Sequence, residues 1–248
     1  MMKKYLCLLF SLIGHYVCTE HDYGTESTDR RSQNNQESGN NIIYPCSTSD
    51  LKCIREFFCA HARCKPTYGR VPDPFKVDRF DYTMATSNIS YTLSNVELTG
   101  LNGKVTSFYI NKKTDNLVIA LEVKNVTMSS PVMTFIYNRK GKEPIQLSDD
   151  YFVTYGSTTF TVIIPNIKDL QLGKAYCYAY LDDSKPNVGL GDNFRNSCDP
   201  VVKRAYKDLL KKIPDAAKEA LIVQAFNYVK IIIQNSICDF GLKITYPR

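Results

Sequence analysis

The chain has 248 residues, of which 44% are hydrophobic, so it is long enough to bury a substantial core. Its formal net charge is a mild +6, and the basic cluster at 139–142 coincides with a predicted turn. A nucleic-acid-binding protein would crowd lysine and arginine onto one face, so no nucleic-acid partner is expected.

The N-terminus resembles a secretory signal. Lys3 and Lys4 precede an apolar stretch at 5–13, which is shorter than the ~20 residues of a membrane span. We therefore predict a signal peptide at 1–19, a secreted, extracellular mature protein and no stable membrane insertion. Residues 20–43 are predicted to form a flexible polar arm, because aliphatic side chains are scarce in them, and 44–248 to form a single domain.

The first predicted helix begins shortly after Tyr44. Ser47, Ser49 or Asp50 can cap it, since short polar side chains accept hydrogen bonds from the free N–H groups of a first turn. Its apolar side is formed by Leu51, Ile54, Phe57 and Phe58. Prolines at 66, 72 and 74 are expected to end it.

Polar and apolar residues alternate from about 75 to 181, which is typical of β-strands with one buried face. Short turns at 111–116 and 139–142 predict that neighbouring strands are antiparallel. Two of these strands carry the clearest apolar faces, formed by Ile89, Tyr91, Leu93, Leu117, Ile119, Leu121 and Val123.

Two glycosylation sequons lie in this strand region, at Asn88 and Asn125. Asn88 shares the polar face of its strand, where a glycan can be accommodated. Asn125 has the parity of the apolar face, so its strand is expected to end or bulge before it.

Large apolar residues occupy most of the circumference of the C-terminal run at 221–233, which is the mark of a helix surrounded by protein. We predict an α+β fold in which a strongly curved antiparallel sheet wraps this long helix and encloses an apolar tunnel. Phe226, Val229 and Ile233 are the helical residues expected to line the tunnel. Pro214 is expected to kink the helix or restart it.

Two of the nine cysteines precede residue 20, which leaves seven, an odd number, so at least one thiol is unpaired. In the strand at 175–181 three tyrosines share one face and small residues share the other. We expect the small face to pack against the start of the C-terminal helix, which would bring Cys177 within reach of Cys198 for a disulfide.

An enzyme or a metal site is not expected. Only His21 and His61 follow the predicted signal, and there is no Gly-x-Ser-x-Gly nucleophile motif. The cysteines at 59 and 64 lack a second cluster of metal ligands. We therefore predict no catalytic residues, no metal and no cofactor.

Three motifs occur in a recognisable order: Pro45 and Cys46 with Cys53, the run PDPF at 72–75, and the run NVELTGL at 95–101. Together they resemble the insect haemolymph juvenile hormone binding protein and takeout family. The resemblance implies a long helix inside a curved sheet and an apolar tunnel for a small lipophilic molecule. It also implies disulfides joining Cys46 to Cys53 and Cys177 to Cys198.

The predicted function is a secreted carrier for a small lipophilic ligand, such as a juvenile hormone-like terpenoid or a fatty acid. Its predicted ligand-binding residues are Ile89, Tyr91, Leu93, Leu117, Ile119, Leu121, Val123, Phe226, Val229 and Ile233. Hydroxyl groups of Tyr91, Tyr137 or Tyr228 could orient the ligand. The alternative is a secreted interaction module with a solid core and no ligand, which recognises partners through the tyrosine face at 176–180. Whether a receptor or a second carrier receives the ligand is left open by the sequence.

Overall fold

The computed structural model describes residues 41–84, 88–182 and 185–244. The predicted signal peptide and residues 20–40 of the predicted arm lie outside this part of the chain. The last residues of the arm are ordered, because β1 (Ile42–Ile43) pairs with Ile110 and Asn111 at the edge of a sheet. Ordered structure therefore begins earlier than residue 44, the predicted boundary.

The first helix, α1 (Leu51–His61), confirms the predicted helix and one of its candidate caps. The Asp50 carboxylate accepts a hydrogen bond from the backbone N–H of Cys53 at 3.0 Å, which satisfies a free donor of the first turn. Ile54 and Phe58 are fully buried and anchor the helix to the core.

The remaining strands and helices follow in chain order. They are β2 (Lys65–Pro66), β3 (Phe75–Met84), β4 (Ile89–Thr99), β5 (Lys104–Asn111), β6 (Asn116–Lys124), β7 (Thr127–Arg139), β8 (Lys142–Thr154), β9 (Ser157–Pro165), β10 (Tyr176–Leu181), β11 (Asn187–Leu190), α2 (Asp192–Arg195), α3 (Pro200–Val223), α4 (Ala225–Ser236) and β12 (Cys238–Asp239).

The strands form two five-stranded antiparallel sheets. The first sheet has the order β1-β5-β6-β9-β10, and the second has the order β11-β8-β7-β4-β3. The predicted turns at 111–116 and 139–142 are confirmed, since they join β5 to β6 and β7 to β8. The prediction of one strongly curved sheet is wrong, because β6 pairs with β9 while β4 pairs with β7, and neither sheet is strongly curled.

Two C-terminal helices replace the predicted single helix. α3 continues through Pro214, and the break comes instead at Gln224, before α4. α4 has the all-round burial that its apolar run predicts, with Val229, Ile231 and Ile233 fully buried. α4 contacts β9 and β10 of the first sheet, whereas α3 contacts β11 of the second sheet as well as β10. The break thus divides the helical cover between the two sheets.

Two disulfides join described cysteines. Cys46 and Cys53 are bonded, which is the pair that the resemblance implies. A second disulfide joins Cys64 to Cys238, across a sequence separation of 174 residues. Beside it, β12 pairs with β2, and the ring of Phe240 lies edge-on to that of Phe58 with centroids 6.1 Å apart. The C-terminal segment is therefore attached to the region that follows α1.

Cys177 and Cys198 are both free thiols, so the predicted disulfide between them is wrong in this structure. Cys177 lies on β10, which contacts both α3 and α4, and is half-buried. Cys198 lies just before α3 and is exposed. Burial raises the pKa of the Cys177 thiol to about 12, so this thiol stays protonated.

Candidate ligand site and interaction surface

Most of the predicted ligand-binding residues lie deep in the core. Those with at most 3% of their surface exposed are Leu93, Leu117, Ile119, Leu121, Val123, Val229 and Ile233. Phe226 is only half-buried, and its ring centroid lies 5.2 Å from Nζ of Lys230. Tyr228 stacks on Phe160 of β9 with ring centroids 5.8 Å apart, which packs α4 onto the first sheet. Its phenol is therefore part of the core packing.

Two small clefts lie between the second sheet and α3. Ile89 and Tyr137 line the first cleft, whose volume is about 30 Å³, and Tyr91 lines the second, of about 20 Å³. Phe135 and Leu209 line both, so the clefts adjoin. The other lining residues are mostly apolar: Met133, Ile145, Leu147, Tyr151, Leu190, Phe194, Val202, Ala205, Lys212, Ile213, Ala216 and Ala217. Each cleft has room for about one water molecule.

None of the predicted ligand-binding residues lies on α3, which forms one wall of both clefts. Val202, Leu209 and Ala216 line the clefts at seven-residue spacing, which places them on one face of a helix two turns apart. This periodicity is visible in the sequence and could have identified the helical wall. The more apolar run at 221–233 directed the prediction to α4 instead.

Several tyrosine hydroxyl groups gather where the second sheet meets the end of α3. Burial raises the pKa values of Tyr91, Tyr151 and Tyr155 well above the usual tyrosine range. Burial and then the nearby Glu219 raise the pKa of Tyr82 to about 12. Burial favours the protonated phenols in the folded state. Their contribution to stability is therefore fully present below pH ~10, the pKa of a tyrosine in the unfolded chain, and is lost as pH rises through the raised pKa values of the folded state. At neutral pH these groups act as uncharged hydrogen-bonding groups.

Replacing Tyr155 with phenylalanine is expected to lower the free energy of unfolding by about 1.5 kcal/mol. The Tyr155 hydroxyl donates a hydrogen bond to the carbonyl of Ala217 at 3.0 Å and is buried, so its removal leaves that carbonyl without this donor. Urea unfolding measures the change. Tyr180→Phe is the control, because Tyr180 is 74% exposed and should change stability little. Equal effects of the two substitutions would contradict the role given to this bond.

Both sequon asparagines are accessible in the structure. Asn88 and Asn125 have exposed side chains and left-handed backbones, with φ of 55° and 54°. β6 ends at Lys124, as the parity argument for Asn125 predicts. Glycosylation at both positions stays a prediction that this geometry permits.

The tyrosine face predicted on β10 is present. Tyr176, Tyr178 and Tyr180 are 63%, 61% and 74% exposed, while Cys177 and Ala179 are half-buried against the core. β10 is the last strand of the first sheet, so no strand of that sheet pairs with its outer edge within the described residues. An exposed aromatic row on an edge strand is a surface suited to contact with another protein chain.

No helix among those the structure describes is long and apolar enough to cross a membrane. Within residues 41–84, 88–182 and 185–244, no group of three or more histidine, cysteine or acidic side chains is arranged to hold a metal ion.

The fold is similar to that of Takeout 1 from Epiphyas postvittana. The TM-score is 0.51 at 15% sequence identity, over 78% of this chain and 93% of that chain. At this identity the similarity concerns the fold alone, and to that extent it confirms the takeout-like fold predicted from the sequence.

Sequence comparison identifies the Fibroin P25 family and does not confirm the juvenile hormone binding protein family that the motifs resemble. Fibrohexamerin from Galleria mellonella is 28% identical over 205 residues, which cover 82% of this chain and 90% of that protein. The family model described as Fibroin P25 matches residues 42–242. The Fibroin P25 family and its fibrohexamerin relative are non-enzymatic, which confirms the prediction that the protein is not an enzyme. Since the family model covers most of its length, the chain belongs to the Fibroin P25 family.

Proposed function

We propose that this protein is a secreted, non-enzymatic structural protein that associates with fibroin through its surface. The observation that carries the proposal is the match to the Fibroin P25 family over residues 42–242. The signal-like N-terminus supports secretion. This function corresponds to the interaction module that the sequence analysis kept as the alternative.

The clefts beside α3 support this choice over a carrier whose ligand lies between α3 and the second sheet. Pockets that bind small molecules usually have volumes of about 300–1,000 Å³. The clefts between α3 and the second sheet have volumes of about 30 and 20 Å³, so a terpenoid could enter only if α3 moved away from the sheet. The residues predicted to line a tunnel are mostly core residues, which suit a rigid scaffold.

The proposed contact surface is the tyrosine face of Tyr176, Tyr178 and Tyr180. Tyrosine side chains are large but have only two side-chain torsions, so they bury much apolar area on binding and lose little conformational entropy. The outer edge of β10 has no paired strand within the described residues, so we infer that an extended partner chain can add to it. We therefore place the fibroin contact on this strand.

The test is co-elution of the purified protein with purified fibroin in size-exclusion chromatography with light scattering. We expect a complex with the unmodified protein and at least a tenfold loss of affinity when all three tyrosines of the face are replaced with threonine, which keeps a high strand propensity. The control replaces Tyr44 and Tyr68 with threonine in the same way. These tyrosines are 73% and 72% exposed and lie outside β10. No complex with the unmodified protein would reject the function, and full binding by the triple variant would reject only the face.

A second candidate function is the carriage of a neutral lipophilic ligand between α3 and the second sheet. It is favoured by one observation, that the two clefts adjoin at Phe135 and Leu209 and have mostly apolar walls. An outward movement of α3 would join them into one site. Native mass spectrometry should then detect a co-purified lipid, and Ala205→Phe, which fills the first cleft, should abolish its retention. A protein that neither retains a lipid nor gains thermal stability from terpenoids or fatty acids would exclude this function.

A further inference from the structure

A larger groove is formed by a different set of residues from those that line the two clefts. It has a volume of about 450 Å³ and is lined by residues of α1, β5, β6 and the C-terminal end of α4. No residue lines both this groove and either cleft. Its volume is within the range of small-molecule sites, so it has the room that the clefts lack.

Buried aliphatic side chains form the floor of the groove. Val105, Leu121, Ile232 and Ile237 are 8%, 3%, 4% and 1% exposed, yet each lines the groove. An apolar chain lying on this floor would be removed from water at a gain of about 25 cal/mol for each Å² buried. The floor therefore selects the apolar part of an occupant.

The rim of the groove is cationic. Arg55, Arg70 and Lys104 line it, and the lining contains no aspartate or glutamate. Lys104 pairs with Glu122 at 3.2 Å, outside the lining. Within the described part of the chain, neither arginine has a carboxylate within 4.0 Å, so their charges are left for an anionic occupant.

Arg55 is held in one orientation before any ligand arrives. Its Nε and Nη2 atoms donate to the carbonyl of Ser236 at 3.0 and 2.9 Å, and its guanidinium carbon lies 5.3 Å from the ring centroid of Tyr68. These contacts leave the Nη1 atom without a partner among the described residues. A fixed arginine loses less side-chain entropy when it binds an anion.

We propose that this groove binds an anionic amphiphile, with its carboxylate at Arg55 and Arg70 and its alkyl chain on the aliphatic floor. A neutral lipid would leave the arginines without an anionic partner, and a small inorganic anion would leave the floor exposed. Charge on the rim and apolar surface on the floor together favour a long-chain anion, and a fatty-acid carboxylate is the occupant that we propose. The proposal is independent of fibroin association and of the clefts beside α3.

Titration calorimetry below the micellar concentration, at pH 8, tests the proposal with dodecanoate and with dodecyltrimethylammonium, which has the same chain and the opposite charge. We expect one dodecanoate site with an affinity at least tenfold higher than that of the cation. Arg70→Gln should weaken dodecanoate binding about tenfold and should not weaken binding of the cation, because it removes a positive charge from the rim. The substitution should leave the fold intact, since Arg70 is exposed and no ion pair or hydrogen bond of its side chain is found among the described residues. Arg63→Gln, at an exposed arginine outside the groove, should change nothing.

A second pair of variants tests the walls. Tyr68→Ala should weaken dodecanoate binding, whereas Tyr44→Ala should not, although the two tyrosines are equally exposed. Circular dichroism melting checks that each variant is folded. Equal affinity for the two amphiphiles, or full affinity in both Arg70→Gln and Tyr68→Ala, would overturn the proposal. Binding that is lost in Ala205→Phe but kept in the groove variants would also overturn it and would assign the ligand to the clefts.

Discussion

Replacing Cys64 and Cys238 together with alanine is expected to lower the free energy of unfolding by about 5 kcal/mol in the chain-entropy model. The disulfide between them closes a loop with a sequence separation of 174 residues, so its loss frees a large part of the unfolded chain. Loss of packing in the folded state adds to this entropic effect, because Cys238 is fully buried and the nearby Phe240 packs on Phe58. Urea unfolding under oxidising conditions measures the change.

Two control variants separate loop length from the loss of a thiol. Removal of Cys46 and Cys53, whose separation is only 7 residues, should cost about 2–3 kcal/mol by the same model. Cys59→Ala should have little effect, because Cys59 is free and exposed. If the short-loop variant were as unstable as the long-loop variant, the entropic explanation would be contradicted.

Replacing Gly100 with alanine is expected to cost about 3 kcal/mol, roughly 1 kcal/mol from its left-handed backbone and ~2 kcal/mol from a steric clash. Gly100 has a φ of 77°, and a Cβ atom there would lie 2.8 Å from the carbonyl oxygen of Asn125. Because that oxygen belongs to the backbone, it cannot rotate away as a side chain could. Thermal and urea unfolding measure the loss.

Gly141 is a matched control for this prediction. Its φ is 68°, similar to that of Gly100, but no atom lies within 4 Å of the position that a Cβ would take. Gly141→Ala should therefore cost only about 1 kcal/mol, the part due to the backbone. If both variants lost the same stability, the close approach of the backbone at Gly100 would have no energetic consequence.

The Gly100 prediction also gives a physical meaning to the motif at 95–101 that carries the resemblance. Asn95 has a φ of 54°, and the buried positions of β4 change parity there, from Ile89 and Leu93 to Val96 and Leu98. Two left-handed residues within one motif thus shape the strand and its exit. In this chain the motif at 95–101 therefore specifies backbone geometry at the end of β4.

The candidate site could be predicted only in part. Ile89 and Tyr91 do line the clefts, and Leu121 does line the groove, as buried-face parity suggested. The other predicted residues are core except the half-buried Phe226, because parity identifies a buried face without showing whether it contacts a cavity or another side chain. The rim arginines of the groove escaped notice, since Arg55 lies on α1 and Arg70 on the segment between β2 and β3, and only the tertiary structure brings both to one groove.

Residue type and spacing were enough to predict the local features: a helix cap among Ser47, Ser49 and Asp50, the hairpin turns, the tyrosine face of β10 and the all-round burial of α4. These depend on interactions between residues a few positions apart, which residue type and spacing specify directly. Only the tertiary structure decided the division into two sheets, the pairing of Cys64 with Cys238 and the widths of the clefts and the groove. Such features depend on which distant segments meet and on how closely their side chains pack. Residue type and spacing along the chain contain neither kind of information.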